Sequence, residues 1–176
     1  AVGSNALSTY NPSGNEDGYN TAIGMNCMFS TTTGNNNTAV GGKALEDNTT
    51  GNYNTAVGSY ALTANTGAWN TAVGDAALAG NTTGSNNCAF GQQALYNNST
   101  ANDNSGFGHK ALWQNTTGAQ NVGVGVSALS ANTTGGNNTA VGFHALKANT
   151  TASSNTGIGY QALLSNTTGY RNVAVG

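Results

Sequence analysis

The chain has 176 residues, of which 26 are glycine, one is proline and only 6% are charged, and its net charge is −2. An average globular domain carries about a quarter of charged residues, and a chain this poor in Lys and Arg offers no basic surface to nucleic acid or to anionic lipid. No apolar run approaches the ~20 residues that a membrane helix needs. We therefore expect neither a nucleic-acid partner nor a membrane segment.

The two ends of the chain carry the same short motif. The chain opens on Ala-Val-Gly at residues 1–3 and closes on Val-Ala-Val-Gly at residues 173–176. We therefore expect residues 1–176 to be one tandem-repeat segment, an excerpt of a longer fibre protein. Residues 11–18 (Asn-Pro-Ser-Gly-Asn-Glu-Asp-Gly) hold the only proline and several turn formers, so they predict a loop insertion.

A seventeen-residue repeat fills the chain from Asn20 onward, with the consensus N-T-A-V-G-x-x-A-L-x-x-N-T-T-G-x-x. One step is sixteen residues long, where Asn65-Thr66-Gly67 has one threonine fewer than the other turns. This period is too short for helical-hairpin repeats, which need about 33 residues. It predicts an all-β fold, a parallel β-solenoid of about ten coils. The copies begin at Asn20, Asn37, Asn54, Asn70, Asn87, Asn104, Asn121, Asn138, Asn155 and Asn172.

Each coil divides into short predicted elements. Thr-Ala-Val predicts a strand that the following Gly ends, Ala-Leu predicts a second strand, and Asn-Thr-Thr-Gly predicts a turn. The Val, Ile or Phe at the fourth position (as at Val57, Val73 and Val141) and the Leu at the ninth position (as at Leu112) are expected to be buried. The small residues at the third and eighth positions should then face the opposite way, because neighbouring strand residues alternate.

Two large apolar residues per coil make a thin core. At ~1.5–3 kcal/mol per buried large side chain, they offset only a small part of the cost of ordering seventeen residues at ~1–2 kcal/mol each. We therefore expect backbone ladders, Asn columns and neighbouring chains to contribute. The specific expectation is a parallel homotrimer with the small residues of the third and eighth positions near the interface.

Side chains with catalytic or ligand chemistry do not recur with the coil. His109 and His144 lie two coils apart, roughly 10 Å along the axis, and are predicted to be solvated. Cys27 and Cys88 lie about four coils apart, roughly 19 Å, well beyond the ~7 Å Cα limit for a disulfide. The carboxylates follow neither a calcium-binding repeat nor a catalytic pair. The sequence therefore predicts no catalytic residue, no metal site, no cofactor and no enzyme.

Aromatic residues gather at variable positions of the coil, where side chains are expected to point outward. Their rings could stack on the faces of sugars, or they could simply shield the rod. The register places six of them, the candidate surface contacts, in pairs on adjacent coils: Tyr53 with Trp69, Tyr96 with Trp113, and Phe143 with Tyr160.

The repeated turn sequence Asn-Thr-Thr matches the acceptor sequence for N-glycosylation. The turn itself favours Asn and tolerates Thr, so the recurrence has a structural explanation as well. In a eukaryote or one of its viruses the sites could be modified. They are Asn48, Asn81, Asn115, Asn132, Asn149 and Asn166.

Asn-Thr-Ala-Val-Gly followed by Ala-Leu resembles the head repeats of trimeric autotransporter adhesins. Arrays that add Asn-Thr-Thr-Gly look like the shafts of phage-type tail fibres and related bacterial surface fibres. The resemblance covers essentially the whole chain. It implies a left-handed parallel β-roll, a homotrimer and a location outside the cell, on the cell surface or in a virion fibre. It also implies a structural or adhesive role, with a surface glycan or protein as a possible receptor.

An ice-binding β-solenoid is the alternative function, because threonine-rich coils of similar length could order water on a flat face. Two features count against it. The paired threonines fall in a turn, and the second-position threonine column is interrupted at Cys88, Ser105, Val122 and Val173.

Overall fold

The computed structural model describes residues 1–11 and 18–176, so most of the predicted loop at residues 11–18 lies outside the described residues. Ten three-residue strands form one parallel sheet in sequential order. They are β1 (Thr21–Ile23), β2 (Thr38–Val40), β3 (Thr55–Val57), β4 (Thr71–Val73), β5 (Cys88–Phe90), β6 (Ser105–Phe107), β7 (Val122–Val124), β8 (Thr139–Val141), β9 (Thr156–Ile158) and β10 (Val173–Val175). A bridge from Val2 to Ile23 adds a partial coil before β1. The described residues contain no helix, and hence none that could cross a membrane.

The strand register confirms the predicted coil. Thr38 pairs with Thr55 across a step of seventeen residues, and Thr55 pairs with Thr71 across the step of sixteen. The parallel β-solenoid of about ten coils is thereby confirmed. At ~4.8 Å per coil the rod is roughly 48 Å long. We number the coils 1 to 9 from Asn20 to Asn155, and call equivalent positions in successive coils a column.

The face of each strand that points into the core is the opposite of the predicted one. In β3 the central Ala56 is fully buried, whereas Val57 is 37% exposed. Val73 and Val141 are only half-buried. The prediction that fourth-position side chains form the core was therefore wrong.

Size explains this inversion. The ninth-position leucines are fully buried from Leu45 to Leu146, and each fills much of the interior of its coil. A methyl group on Gly106, at the third position, would lie 3.3 Å from Cγ of Leu95 in the preceding coil. Beside the leucine column the third position therefore has room only for Ala or Gly, and the larger Val, Ile and Phe lie outside. The predicted burial of the leucines is confirmed except at Leu163, near the end of the rod, which is partly buried.

The eighth-position alanines are also interior. Their placement near a subunit interface was wrong, because they are already covered by their own chain. The fully buried members are Ala44, Ala61, Ala77, Ala94, Ala111, Ala128 and Ala145.

The Ala-Leu segment is a turn, so the predicted second strand was wrong. Leu112 and Leu129 have φ angles of 54° and 52°, in the left-handed region. This conformation costs a non-glycine residue roughly 1–2 kcal/mol. Full burial of a leucine side chain stabilises by about 1.5–3 kcal/mol, which offsets that cost. The backbone of the segment is held by the next coil, since Leu112 N–H donates to the Ala128 carbonyl over 2.9 Å.

Ala111→Trp should unfold the coil that contains it. Ala111 is fully buried beside the leucine column, and a bulky ring there is expected to cost more than about 3 kcal/mol. Ser127→Trp is the matched control, because Ser127 occupies the seventh position, where Tyr60 has the same left-handed backbone and an exposed ring. Chemical denaturation followed by circular dichroism would compare the two. Equal losses of stability would contradict the interior placement of the alanine column.

Candidate functional site

The first-position asparagines form a ladder inside the rod. Oδ1 of Asn104 accepts a hydrogen bond from the backbone N–H of Asn121 in the next coil over 2.9 Å. Its Nδ2 donates to the carbonyl of Gly118 in its own coil, also over 2.9 Å. Equivalent bonds recur in every coil from Asn20 to Asn155. Each of these side chains therefore ties a turn of its own coil to the coil that follows.

The twelfth-position asparagines form a second ladder. Nδ2 of Asn115 donates to Oδ1 of Asn98 over 2.9 Å and to the carbonyl of Gly118 over 2.8 Å. Its Oδ1 accepts from Nδ2 of Asn132 over 2.8 Å. The Gly118 carbonyl thus accepts one amide from each ladder. A buried amide without partners would be costly, and these amides are paired throughout.

Thr31 shows what the second ladder contributes. It occupies the twelfth position of coil 1, and its buried Oγ1 has no hydrogen-bond partner. The side-chain ladder therefore begins at Asn48. Sequence reasoning expected the Asn columns to help but placed these residues in turns. The missed signal is that the twelfth position is Asn in every coil from coil 2 to coil 9, although a turn would also accept Asp, Ser or Gly.

The second ladder also determines whether the asparagines of the predicted N-glycosylation sites are accessible. The side chains of Asn48, Asn81, Asn115, Asn132 and Asn149 are fully buried. In Asn115, for example, Nδ2 already makes two hydrogen bonds. The geometry excludes attachment of a glycan to these nitrogens in the folded rod. Asn166, near the end of the rod, is half-buried.

Two of the three predicted aromatic pairs are confirmed. The rings of Tyr53 and Trp69 stack with centroids 6.0 Å apart and planes 5° apart. Those of Phe143 and Tyr160 stack at 5.6 Å and 6°. All four side chains are exposed.

Tyr96 and Trp113 occupy the same column on adjacent coils but are not among the stacked rings. Lys110 Nζ instead lies 5.2 Å from the centroid of the Trp113 ring. A further stack, between Phe90 and Phe107 at 5.4 Å, lies on the outer face of the sheet. Sequence reasoning missed this pair because it placed the fourth position inside the rod.

The outer face of the sheet carries two parallel columns. The second-position column, mainly threonine, is half-buried through most of the rod. The fourth-position column is apolar in every coil, and its members Ile23, Val57, Phe90, Phe107, Val124 and Ile158 are 36–44% exposed. We call this fourth-position column the apolar stripe.

The histidines and cysteines stay apart. His109 is exposed on coil 6, whereas the ring of His144, on coil 8, lies 3.8 Å from that of Phe143. Desolvation and the nearby Lys147 lower the pKa of His144. Cys27 and Cys88 are free thiols, and burial raises the pKa of both. Across residues 1–11 and 18–176, no group of three or more His, Cys, Asp or Glu could hold a metal ion.

Two grooves interrupt the side of the rod. One, of about 500 Å³, runs along coils 6 to 9 beside Trp113 and Lys147. The other, of about 640 Å³, lies on coils 3 to 5 between Tyr60 and Tyr96. We call the second one the tyrosine groove. Small residues line part of each groove: Ser130 and Ala131 in the first, and Ala79 and Gly80 in the second.

The structure establishes a repetitive parallel β-solenoid with seventeen-residue coils and asparagine ladders, an architecture consistent with a structural role. Its exposed features are the apolar stripe, the aromatic columns and the two grooves. Comparison of the chain with family models, curated proteins and solved structures finds no match.

Proposed function

We propose that this chain is a structural and adhesive segment of an extracellular fibre, on a cell surface or in a virion, and acts as a rigid shaft or head. The asparagine ladders and the parallel sheet support this proposal, because they link every coil to the next by the same bonds. Bending the rod would strain these bonds on one side. The segment would act by holding and presenting surfaces rather than by catalysis.

The apolar stripe is the observation that carries the proposal. It runs along all ten strands without a polar interruption. Soluble monomers rarely expose continuous apolar patches of this kind, and such patches mark interaction sites. A partner that presents apolar side chains at the same axial interval is a parallel copy of the same chain. We therefore propose side-by-side self-association, and a homotrimer as its closed form.

The mass of the assembled species tests this proposal. Sedimentation equilibrium of the 176-residue chain should give three times the chain mass of 17.5 kDa. Replacing Val57 and Val124 together by lysine should shift the mass to that of one chain and leave the circular dichroism spectrum unchanged, because both side chains already contact solvent. Thr134→Lys, on an exposed turn, is the control and should leave the assembly intact.

A single-chain mass for the unsubstituted protein at micromolar concentrations would contradict the self-association. The same mass for all variants and for the unsubstituted trimer would instead show that the copies meet through another face.

An ice-binding role is the second candidate, and one observation favours it. The second-position threonines, such as Thr38 and Thr139, lie on the outward face of a sheet rather than in a turn. The stacked rings of Phe90 and Phe107 stand on the same face and interrupt a regular threonine surface. Thermal hysteresis separates the two functions. The fibre proposal expects none, whereas a measurable hysteresis that Thr139→Leu removes would favour ice binding.

A further inference from the structure

The tyrosine groove has a defined shape. It has a volume of about 640 Å³, and its two aromatic side chains are Tyr60 from coil 3 and Tyr96 from coil 5. Coil 4 lies between them and supplies Ala76, Ala79 and Gly80. Two coil steps separate the tyrosines along the axis, roughly 10 Å. The groove is thus a gap of one coil between two phenol rings.

The gap exists because coil 4 has small side chains in two columns in which a neighbouring coil has a tyrosine. Ala76 occupies the same column as Tyr60, and Ala79 the same column as Tyr96. The floor is held in place, since Gly80 N–H donates to the Tyr96 carbonyl over 2.8 Å. A groove on a hydrogen-bonded solenoid backbone is formed before any ligand arrives, which lowers the entropic cost of binding.

One face of the Tyr60 ring already contacts a cation. Lys43 Nζ, from coil 2, lies 5.6 Å from the ring centroid, and it also pairs with Glu46 over 3.4 Å. On the other side of Tyr60, the residue of coil 4 in the same column is Ala76, which has only a methyl group. The ring is 47% exposed, so it can accept a flat apolar face from the side of the groove.

The polar groups around the rings point to the ligand's chemistry. Asp75, Gln93 and Asn97 line the same groove and supply a carboxylate and two amides. Gln92 Nε2 donates to Asp75 Oδ2 over 3.4 Å, which leaves most of the acceptor capacity of the carboxylate free. The lining contains no cation, so an anionic ligand would meet a carboxylate without compensation.

We propose that the tyrosine groove binds one neutral hexopyranose unit of an oligosaccharide. The C–H face of the sugar ring would lie against Tyr60 or Tyr96, and its hydroxyl groups would hydrogen-bond to Asp75, Gln93 and Asn97. This inference rests on the adhesive role proposed above and gives it a site and a ligand class.

Titration calorimetry of the assembled 176-residue protein tests the site. The probes are maltohexaose, cellohexaose and β-1,4-linked galactohexaose, with hexagalacturonate as the charged comparison. At least one neutral hexasaccharide should bind with one site per chain, and hexagalacturonate should bind about ten-fold more weakly or not at all, because of the repulsion from Asp75. Tyr60→Ala and Tyr96→Ala should each weaken binding by about ten-fold, the loss expected from one stacking contact.

Ala76→Tyr is the decisive variant. Ala76 and Tyr60 share the left-handed backbone of the seventh position, with φ angles of 53° and 57°, so the backbone there is compatible with tyrosine. We expect the new ring to fill the groove, which Ala76 lines. Binding should be lost while the assembled mass stays unchanged. Ser127→Tyr, in the same column on coil 7, should bind as the unsubstituted protein does.

Two results would overturn the site. If Ala76→Tyr binds a neutral hexasaccharide as tightly as the unsubstituted protein, adhesion resides elsewhere on the fibre and the adhesive proposal stands without this groove. If no neutral hexasaccharide binds at millimolar concentrations, the groove is not a sugar site. The assembled mass is measured separately and decides the self-association proposal independently of both results.

Discussion

Gly41→Ala should destabilise the rod far more than Gly42→Ala, although the two glycines are adjacent. Gly41 ends β2 with a φ of +139°, where a side chain is strained, and a methyl group there would lie 2.6 Å from the carbonyl carbon of Gly58 in the next coil. Relief would require the coils to separate, so we expect a loss of about 3 kcal/mol or more. A methyl group on Gly42 would have no heavy atom within 4 Å, and alanine there should be neutral or stabilise by up to about 1 kcal/mol.

Urea denaturation of the two variants, followed by circular dichroism, measures the difference directly. Because the substitution is the same and the residues are neighbours, changes in the unfolded state are closely matched. Similar midpoints for both variants would show that the stacked fifth-position glycines are not required for the close approach of the coils.

Asn115→Leu should destabilise the rod strongly although it changes a single polar side chain. Leucine has a similar volume, but it removes the donor bonds to Asn98 and to the Gly118 carbonyl as well as the bond accepted from Asn132. All of these groups are buried. A buried polar group that loses its partner costs about 1–3 kcal/mol, so we expect a total loss of about 3 kcal/mol or more.

Asn97→Leu is the matched control for this change. Asn97 is half-buried on an adjacent coil, and its side chain lines the tyrosine groove rather than a ladder. Its effect on the free energy of unfolding should be within about 0.5 kcal/mol. A solenoid is held together by neighbouring coils only, so Asn115→Leu should also split the unfolding transition. A single sharp transition at an unchanged midpoint would contradict the structural role of the second ladder.

The period and register could be predicted because every coil repeats the same columns. In a stack of parallel strands, equivalent residues must lie above one another, so the spacing of the asparagines determined which residues pair. The pairing of Thr55 with Thr71 confirms this even across the shorter step. The stacks of Tyr53 on Trp69 and of Phe143 on Tyr160 follow from the same register.

The side that faces the core could not be predicted from hydrophobicity. Alternation in Thr-Ala-Val only separates Ala from Thr and Val, and the larger apolar residue was assigned to the core. The interior is narrower than that assignment requires, since a methyl group on Gly106 already lies within 3.3 Å of Leu95. The left-handed turn that brings each leucine inside is also absent from any propensity scale, because leucine rarely adopts it.

The tyrosine groove depends on residues that carry no chemistry of their own. Ala76, Ala79 and Gly80 matter because they are smaller than their column neighbours. Similarly, Tyr96 was predicted to stack on Trp113, but the ring of Trp113 lies beside Lys110 on its own coil. Such contacts depend on side-chain conformation rather than on register.

Coil 3 keeps its place in the rod although it is one residue short. Asn65 lies in the turn that is one residue short. Its Nδ2 nevertheless donates to the Gly67 carbonyl over 2.9 Å, and its Oδ1 accepts from Nδ2 of Asn81 over 2.7 Å. The turn accommodates the missing residue, and the columns before and after it remain aligned. Recombination between copies of the repeat can therefore change the length of the rod in steps of one whole coil. Insertions and deletions in the turns can change the surface of the rod without changing the number of coils. The length of the rod and the shape of its surface can therefore evolve separately.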